Sequence, residues 1–344
     1  MLASKLLQIL PGFRDKRVAV FGDIILDNYV FGITNRVSRE APVLILLKND
    51  EQFNLGGAGN TIRNLHELGA RVEPVSIVGK DDSGKRVKKL LANMNVETRY
   101  VFQSPKRGTP LKTRILAGDA HTRKQQILRI DTIPEQTLSA SDTDLLLSAI
   151  KNEAAGGLDA LIISDYGCGV VNDRVIGEMN ALAQSKKVVI TVDSRFNAFA
   201  FEHVHALTPN ESEFRWAANL PVPPDTQAIL RLGKDKLKEL DLEALLLTRG
   251  SEGLILFEKD GEPLELPVYG SRSIIDVTGA GDTVISVFTL AISSGLLYRE
   301  AALLANIAGS VAVMKANAAA VSVTELERKI VNPYFKTYCD AHFR

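Results

Sequence analysis

The chain has 344 residues, enough for one large domain or two modest ones. Its 41 Lys and Arg residues balance 41 Asp and Glu residues, which argues against a protein that binds nucleic acid through bulk charge. The two cysteines, Cys168 and Cys339, provide neither a disulfide framework nor a zinc motif. With no signal-peptide pattern and no uncharged apolar run of about 18 residues, we expect a cytoplasmic protein outside the membrane.

The first predicted element is a buried parallel strand over residues 17–26, a continuous apolar run that includes Gly22-Asp23. Ligands bind at the carboxyl ends of strands in open α/β sheets. Asp23 and Asp27 are therefore candidates for accepting hydrogen bonds from sugar hydroxyls, with a plain turn as the alternative for Asp23. Short apolar pieces in residues 28–53 predict antiparallel strands outside the main sheet, and those in 97–118 would join them in a small lid.

A glycine-rich turn, Gly56-Gly57-Ala58-Gly59-Asn60, precedes a predicted helix. Its glycines allow the backbone to approach a substrate closely. The spacing does not fit the dinucleotide-binding pattern G-x-G-x-x-G. A tight strand-to-helix turn capped by Asn60 is the alternative.

From about residue 137 onward, strands alternate with helices, which predicts a mostly parallel sheet with right-handed crossovers. In Thr208-Pro209-Asn210-Glu211-Ser212-Glu213, Asn210 and Glu213 could hold waters around Mg²⁺, although a capping box explains the same spacing. The turn from Thr248 through Arg249 and Gly250 to Gly253 lines a nucleotide pocket or is a plain turn. Aromatic residues in the tail, residues 331–344, predict packing on the body or on a neighbouring subunit.

The motif Asp276-Val277-Thr278-Gly279-Ala280-Gly281-Asp282-Thr283 precedes an apolar helix. Unpaired N–H groups at a helix N-terminus form an anion site. Because Asp282 would repel a phosphate, it is better suited to take a proton from a hydroxyl while the N–H groups hold a transferring phosphoryl group. A helix-capping carboxylate is the alternative.

Basic residues are concentrated in the predicted lid region: Arg36, Arg39, Arg107, Lys112, Arg114, Arg123 and Lys124. A kinase that acts on an already phosphorylated substrate needs cations for that remote phosphate. A solvated surface explains most of these residues, and we expect only two or three to contact ligand.

In this order and at these separations, the motifs resemble the PfkB (ribokinase-like) family of carbohydrate kinases over residues 15–330. The family signatures correspond to residues 56–60 and 276–282, and residues 208–213 resemble the family's Asn-x-x-Glu magnesium motif. The resemblance implies a three-layer α/β/α fold with a mostly parallel sheet and a small β-sheet lid. Residues 1–330 would form the kinase domain, with lid segments 28–53 and 97–118 inserted and a tail over 331–344.

The resemblance also implies ATP-dependent transfer to a sugar, with Asp282 as the base and Gly279, Ala280 and Gly281 in the anion hole. The implied sugar contacts are Asp23, Asp27, Gly56, Gly57, Asn60, Lys112, Arg114 and Asp165. The implied nucleotide contacts are Asn210, Thr248, Arg249, Gly250, Gly253 and Asn306. Asn210 and Glu213 would orient Mg²⁺ through water, K⁺ would bind beside the Asp276 loop, and two copies would pair through their lids.

Within the family, several stretches resemble the D-glycero-D-manno-heptose 7-phosphate kinases: residues 22–29, 38–43, 112–114, 125–131 and 164–166. They favour transfer to the anomeric hydroxyl of heptose 7-phosphate or a similar phosphosugar. The chain departs from those kinases at Cys168, where they carry lysine, and at Asp193-Ser194-Arg195, where they favour Asp-Pro-Lys. The alternatives are a kinase for an unphosphorylated sugar or nucleoside, and a catalytically silent sugar-binding regulatory protein; the intact Asp282 and anion-hole glycines argue against the latter.

Overall fold

Short apolar runs and amphipathic segments alternate along the chain and form the strands and helices of the protein. The computed structural model describes residues 2–118, 124–134, 138–219, 225–270, 275–315 and 320–343. The strands are β1 (Arg17–Gly22), β2 (Ile24–Val37), β3 (Leu44–Gly57), β4 (Arg71–Gly79), β5 (Val101–Ser104), β6 (Leu111–Gly118), β7 (Gln125–Thr132), β8 (Ala160–Asp165), β9 (Val189–Ser194), β10 (Ala206–Leu207), β11 (Ala244–Thr248), β12 (Leu254–Glu258) and β13 (Leu264–Leu266). The helices are α1 (Leu2–Ile9), α2 (Ala58–Glu67), α3 (Asp82–Asn93), α4 (Ala140–Ala155), α5 (Asp173–Gln184), α6 (Glu211–Ala217), α7 (Thr226–Glu239), α8 (Ala280–Ser293), α9 (Tyr298–Ala312), α10 (Val323–Val331) and α11 (Pro333–His342). Among the described residues, no helix combines the length and apolar character that crossing a bilayer requires.

The main sheet has the strand order β13-β12-β11-β10-β9-β8-β1-β4-β5. Every neighbouring pair from β11 to β5 is parallel, while β12 and β13 add an antiparallel edge. The prediction of a mostly parallel sheet is therefore confirmed.

Side chains of β1 show how the layers are built. Val18 and Val20 lie in one apolar cluster, which α2, α8 and α9 cover. Ala19 and Phe21 point to the opposite face, where α4, α5 and α7 cover a second cluster. Successive side chains of a strand alternate between its faces, so a sheet buried on both sides gives the continuous apolar run seen in the sequence. The predicted three-layer α/β/α architecture is confirmed.

The apolar run over residues 17–26 is not one strand, and this prediction was wrong. β1 ends at Gly22, and β2 begins at Ile24 in a different sheet. At Gly22 the backbone passes so close to β8 that an added Cβ would lie 1.9 Å from the Ser164 carbonyl oxygen. The run stays apolar across the break because Ile24 and Leu26 are buried in the same cluster as Val18 and Val20.

The second sheet, which we call the lid, has the strand order β3-β2-β6-β7. β2 pairs antiparallel with β3 and parallel with β6, and β6 pairs antiparallel with β7. The predicted lid segment 97–118 is wrong in its first part, since β5 pairs with β4 at the edge of the main sheet. The sequence analysis missed β7, whose eight residues are all exposed and therefore show no alternation of buried and exposed positions.

The tail packs on the body of its own chain, which was one of the two predicted alternatives. Phe335 and Tyr338 of α11 are buried in the same apolar cluster as α8 and α9. The Tyr338 hydroxyl also donates a hydrogen bond to the carbonyl oxygen of Pro267 at 2.5 Å.

Candidate active site

Two cavities meet at the carboxyl end of the main sheet. The first, of about 500 Å³, is lined by residues of all four lid strands and by residues that follow β8, β9 and β10. The second, of about 280 Å³, lies against the turn after β11 and the helices α8 and α9. Four described residues line both cavities: Asn210, Thr248, Val277 and Gly281. Parallel strands place their carboxyl ends at one edge of the sheet, and ligand sites form there.

Most of the predicted site residues line these cavities. The first cavity includes Asp27, Gly56, Gly57, Asn60, Lys112, Arg114, Asp165, Asn210, Glu213, Thr248, Gly279, Gly281 and Asp282. The second includes Asn210, Thr248, Gly250, Gly253, Ala280, Gly281 and Asn306. The fold thus gathers segments that are far apart in the sequence. Of the predicted site residues, only Asp23 and Arg249 are absent from the cavity walls that the described residues form.

Asp282 lies in the first turn of α8 and is 4% exposed. Its Oδ2 accepts a hydrogen bond from Asn60 Nδ2 at 2.7 Å. Its Oδ1 accepts from the Tyr166 hydroxyl at 2.7 Å and from Thr61 Oγ1 at 3.1 Å. Three donors from two other parts of the chain therefore fix the carboxylate at the cavity wall.

Two opposing effects act on the pKa of Asp282. Burial raises it above the ordinary aspartate value, and the hydrogen bonds from Asn60, Tyr166 and Thr61 lower it. The net direction is upward, because desolvation of the charged form outweighs the donors. A carboxylate of raised basicity at this position is suited to accept a proton.

The glycine-rich turn before α2 positions Asn60. Arg63 Nη2 donates to Asn60 Oδ1 at 2.7 Å, which leaves the Asn60 amide nitrogen to face Asp282. α2 and α8 are also joined by the Thr283 hydroxyl, which donates to Asn64 Oδ1 at 2.9 Å. The two glycine motifs are thus held against each other by hydrogen bonds between their helices.

The N-terminus of α8 is open toward the cavities. Gly279 has φ of 76°, a left-handed conformation that favours glycine. A Cβ added at Gly281 would meet no heavy atom within 4 Å, so this residue leaves space where the cavities join. The N–H of Ala280 differs from the prediction, because it donates a long 3.3 Å hydrogen bond to Val277 O. The predicted anion hole would therefore use the N–H groups of Gly281 and Asp282.

The lid supplies an ion pair to the first cavity. Arg114 Nη1 lies 2.5 Å from Asp27 Oδ1, and both side chains are nearly buried. Gly56 on the adjacent strand makes room for this carboxylate, since an added Cβ would lie 2.3 Å from Asp27 Oδ2. The ion pair holds Asp27 in a fixed orientation at the wall.

Two cations flank the ring of Tyr166 in the same cavity. Lys112 Nζ and the Arg195 guanidinium carbon each lie 5.6 Å from the ring centroid. Burial lowers the pKa of Lys112, and the charge of Arg195 lowers it further. Neither cation forms an ion pair with a carboxylate in the described parts of the chain, but Arg195 is close enough to Asp193 and Glu213 for its charge to lower the pKa of both. Lys112 and Arg195 repel each other, and an anionic ligand bound near both would relieve that repulsion.

The predicted sugar contact of Asp23 is wrong. Its side chain is fully buried, and its carboxylate accepts backbone hydrogen bonds of 3.0 Å from Tyr166, Cys168 and Val170. Burial raises its pKa to about 6, against the lowering effect of those donors. Asp23 instead fixes the loop that follows β8.

The side chain of Arg249 is also placed differently from the prediction. Its Nε donates to Glu211 at 2.9 Å, and its Nη2 lies 2.6 Å from Glu252. These ion pairs hold the Arg249 side chain beside α6. It therefore does not line either cavity as the described residues form it.

The predicted basic set separates into three groups. Lys112 and Arg114 line the first cavity. Arg107 is buried and donates to the carbonyl oxygen of Cys168 at 2.9 Å, while Lys124 donates to Asn49 at 3.1 Å. Arg36 and Arg39 are exposed on the lid, and Arg123 lies outside the described residues. Two of the seven residues, Lys112 and Arg114, therefore reach the cavity, and the expected contact of two or three of them with ligand stays a prediction.

Asn210 and Glu213 form the capping box that was the alternative interpretation of their spacing. Asn210 Oδ1 accepts from the Glu213 N–H, and Glu213 Oε2 accepts from the Asn210 N–H, each at 2.9 Å. Both residues nevertheless line the first cavity, next to Asp193. Burial raises the pKa of Asp193 and of Glu213, and their mutual repulsion raises the pKa of Asp193 further. The charge of Arg195 lowers both pKa values and so offsets part of this repulsion, and a bound cation would offset it further.

Several cavity residues were not assigned to the site from the sequence: Gln126, Arg129, Tyr166, Asp193, Arg195, Thr208 and Thr278. Tyr166, Asp193 and Arg195 lie at or just beyond the ends of β8 and β9, so strand-end position was a usable signal. Gln126 and Arg129 lie on the exposed strand β7, in the stretch 125–131 whose resemblance to the heptose 7-phosphate kinases was the available signal.

Comparison with known proteins gives a consistent set of matches. The pattern of the pfkB family carbohydrate kinases matches residues 15–325. The chain is 35% identical over 314 residues to the "Bifunctional protein HldE" of Geobacter metallireducens, covering 91% of this chain and 62% of that relative. It is 36% identical to the "Bifunctional protein HldE" of Histophilus somni, covering 94% and 66%. The chain thus spans less than two thirds of the length of these relatives.

Two solved structures share the fold. The Arabidopsis thaliana ribokinase complexed with ribose and ATP superposes with a TM-score of 0.69 at 18% identity, covering 92% of this chain and 99% of that one. The Escherichia coli phosphofructokinase-2 in complex with potassium superposes with a TM-score of 0.74 at 18% identity, covering 92% and 98%. Both likenesses establish the ribokinase-like fold.

Proposed function

The chain belongs to the pfkB family of carbohydrate kinases, and from that premise we propose that it transfers the γ-phosphoryl group of ATP to a sugar that already carries a phosphate. Heptose 7-phosphate, with its anomeric hydroxyl as acceptor, is the proposed substrate. The observation that carries the proposal is the pair Lys112 and Arg195, two neighbouring cations in the first cavity without a carboxylate partner among the described residues. A sugar phosphate would supply the missing anion.

The two cavities suit two substrates. The sugar would occupy the polar first cavity, with Asp27, Gly57 and Asn60 on its walls, and ATP would occupy the second, so that its γ-phosphoryl group lies near Gly281. Asp282 removes the proton of the sugar hydroxyl, whose oxygen attacks the γ-phosphorus as ADP leaves. The N–H groups of Gly281 and Asp282 stabilise the charge on the transferring group.

Mg²⁺ fits the acidic wall near Asp193 and Glu213. No group of three or more His, Cys, Asp or Glu forms a metal cluster in the described ranges, so the protein would hold the ion mostly through water and phosphate oxygens. Glu213 uses Oε2 in the capping box and keeps Oε1 for such a water. When bound, Mg²⁺ neutralises phosphate charge. A K⁺ site beside Asp276 remains a prediction of the family resemblance.

The lid would also mediate pairing of two copies. The lid carries exposed large apolar residues on its outer strands β3 and β7, at the end of β2 and in the β2–β3 connection: Val37, Val43, Leu44, Leu47, Ile127, Leu128 and Ile130. The edge strand β7 is exposed along its whole length. Exposed apolar edges pair readily with another chain, so a second copy is the proposed partner.

An acceptor screen tests the substrate proposal. We expect turnover with heptose 7-phosphate and at least about tenfold lower kcat/KM with the corresponding sugar lacking the phosphate. Lys112→Met and Arg195→Met should each raise the KM for the phosphosugar about tenfold or more with a smaller effect on kcat, because they remove a charged hydrogen bond to a non-reacting group. Lys124→Met is the control, since Lys124 contacts Asn49 and Phe31 and does not line the first cavity as the described residues form it. Equal use of the two sugars would refute the phosphosugar assignment.

A second experiment tests the assigned base. Asp282→Asn should reduce phosphoryl transfer about 100- to 10,000-fold, since an amide cannot accept the proton. ADP binding, followed by calorimetry on the folded variant, should change little. Turnover close to that of the wild type would eliminate Asp282 as the base.

A further inference from the structure

Asn306 connects the second cavity to the C-terminal helix. It lies on α9 and lines the cavity next to Val268 and Gly309. Its Nδ2 donates to the carbonyl oxygen of Pro267 at 2.7 Å and to the hydroxyl oxygen of Tyr338 at 2.9 Å. The Tyr338 hydroxyl in turn donates to the same Pro267 oxygen at 2.5 Å. The three groups close a triangle of hydrogen bonds behind the cavity wall.

This triangle permits only one orientation of the Asn306 amide. The Pro267 carbonyl can only accept, and the single hydrogen of the Tyr338 hydroxyl is already donated to it. The Asn306 atom that faces both must therefore be the amide nitrogen, since a flipped amide would place its oxygen against the Pro267 oxygen. With Nδ2 turned toward these two acceptors, Oδ1 points away from them and is the acceptor that the side chain offers to a ligand.

We propose that Tyr338 is a positioning residue that holds Asn306 with Oδ1 toward the second cavity, where it accepts a hydrogen bond from the exocyclic amino group of adenine. The inference rests on the proposed function, which places ATP in this cavity. Adenine carries an amino donor at position 6, whereas hypoxanthine and guanine carry a carbonyl acceptor there. An acceptor fixed at this point selects the amino-bearing base, because the carbonyl-bearing bases would set two acceptors against each other.

The rest of the tail keeps Tyr338 in place. Tyr338 is 2% exposed and packs on Tyr269 with ring centroids 5.0 Å apart. The Tyr269 hydroxyl donates to the carbonyl oxygen of Lys329 at 2.9 Å. Tyr334 also packs on Tyr269, at 5.2 Å, and on Tyr338, at 6.1 Å, and it is 44% exposed. A helix at the end of the chain thus contributes to base recognition without contacting the base.

The test compares ADP with inosine 5′-diphosphate, whose base carries a carbonyl oxygen in place of the amino group and an N1–H in place of the unprotonated N1. We expect the full-length wild type to bind ADP about tenfold or more tightly than the inosine nucleotide in calorimetry. Tyr338→Phe should weaken ADP binding about three- to tenfold and change binding of the inosine nucleotide less than about twofold. In turnover, the KM for ATP should rise while kcat and the KM for the sugar stay constant.

Two matched variants separate positioning from packing. Tyr334→Phe alters the same aromatic group with no effect on the Asn306 triangle, and Tyr269→Phe removes a hydroxyl hydrogen bond that does not reach Asn306. Tyr269→Phe should lower the melting temperature, and neither variant should change the ratio of the two affinities. If Tyr338→Phe fails to fold, Asn306→Ala takes its place and must reduce the ratio to near one.

The outcomes distinguish this inference from the proposed function. A wild type that binds neither nucleotide would overturn both. A wild type that binds ADP and the inosine nucleotide equally would overturn only the base-recognition inference. An unchanged ratio in folded Tyr338→Phe would overturn the role of Tyr338.

Discussion

At the scale of single residues, the chemistry proposed for the site depends on the protonation state of one buried carboxyl group, that of Asp282. Asp282 was assigned from its motif, and the structure surrounds it with donors from Asn60, Thr61 and Tyr166. The proposed base function of Asp282 needs the deprotonated carboxylate at the pH of the reaction, while burial alone would favour the protonated form. The three hydrogen bonds offset part of the desolvation cost. Each donor therefore lowers the pKa of Asp282 and widens the pH range in which the proposed base is deprotonated.

Tyr166→Phe should shift the acid limb of the pH–rate profile to higher pH. The hydroxyl stabilises the charged form of Asp282 and lowers its pKa, so removing it raises the pKa further. Because activity requires the deprotonated form, the ratio of variant to wild-type kcat/KM should fall about threefold or more between pH 8 and pH 5. Tyr100→Phe, whose ring contacts Arg99, is the control. Superimposable profiles would contradict this prediction.

What the sequence could predict at this scale depends on where each partner lies. Asp27, Asn60 and Asp282 belong to compact local motifs, and they line the cavity as the motifs indicated. For Asp23, pattern left ligand contact and a plain turn open, because its role depends on which backbone N–H groups the loop after β8 brings to it. Tyr166 reaches Asp282 across 116 positions, a contact that no local pattern records.

At the scale of elements, the start of α8 is the point where the two cavities join. Local signals predicted this helix well, because a glycine-rich turn followed by an apolar run is a strong N-terminal pattern. The strands were harder to assign. β5 and β6 are similar short segments, and only their long-range pairings, with β4 and with β2, decide which sheet each one joins.

Gly281→Ala should separate folding from catalysis. An added methyl meets no heavy atom within 4 Å, and alanine favours a helix over glycine by about 0.5–1 kcal/mol, so stability should hold or rise. The methyl group would occupy the space where the phosphoryl group passes, and kcat/KM should fall about 10- to 100-fold. Gly177→Ala in α5, which also meets no heavy atom within 4 Å, should gain stability without losing activity. Thermal melting and turnover assays check both variants, and full activity in Gly281→Ala would contradict the expected crowding.

At the scale of the whole molecule, alternation of strands and helices predicted the main sheet and its layers, because buried parallel strands leave continuous apolar runs. The lid was less predictable. Its strands come from distant segments, and its edge strand β7 is exposed throughout, so it leaves no periodic pattern. The layers could thus be predicted from the pattern of apolar runs along the sequence. Which strands form the lid could be known only from the pairing of those strands.

Leu128→Lys together with Ile130→Lys should convert a lid-mediated dimer to a monomer. The two side chains are 52% and 50% exposed on the edge strand, so charges there should leave the fold of one copy intact and oppose pairing of two copies. Sedimentation velocity should show the wild type at twice the mass of the variant. Leu145→Lys, an exposed position on α4 outside the lid, is the control. If the double variant still sediments as a dimer, the interface does not involve this edge strand.

The shared wall of the two cavities has a stereochemical consequence. Asn210, Thr248, Val277 and Gly281 border both spaces, so donor and acceptor would face each other across a single boundary. In the proposed reaction, Asp282 at that boundary receives a proton, and the phosphoryl group passes directly from one substrate to the other. One in-line displacement reverses the handedness at phosphorus, as a covalent phosphoenzyme with two displacements would not. The joined cavities therefore favour inversion of configuration in each catalytic turnover.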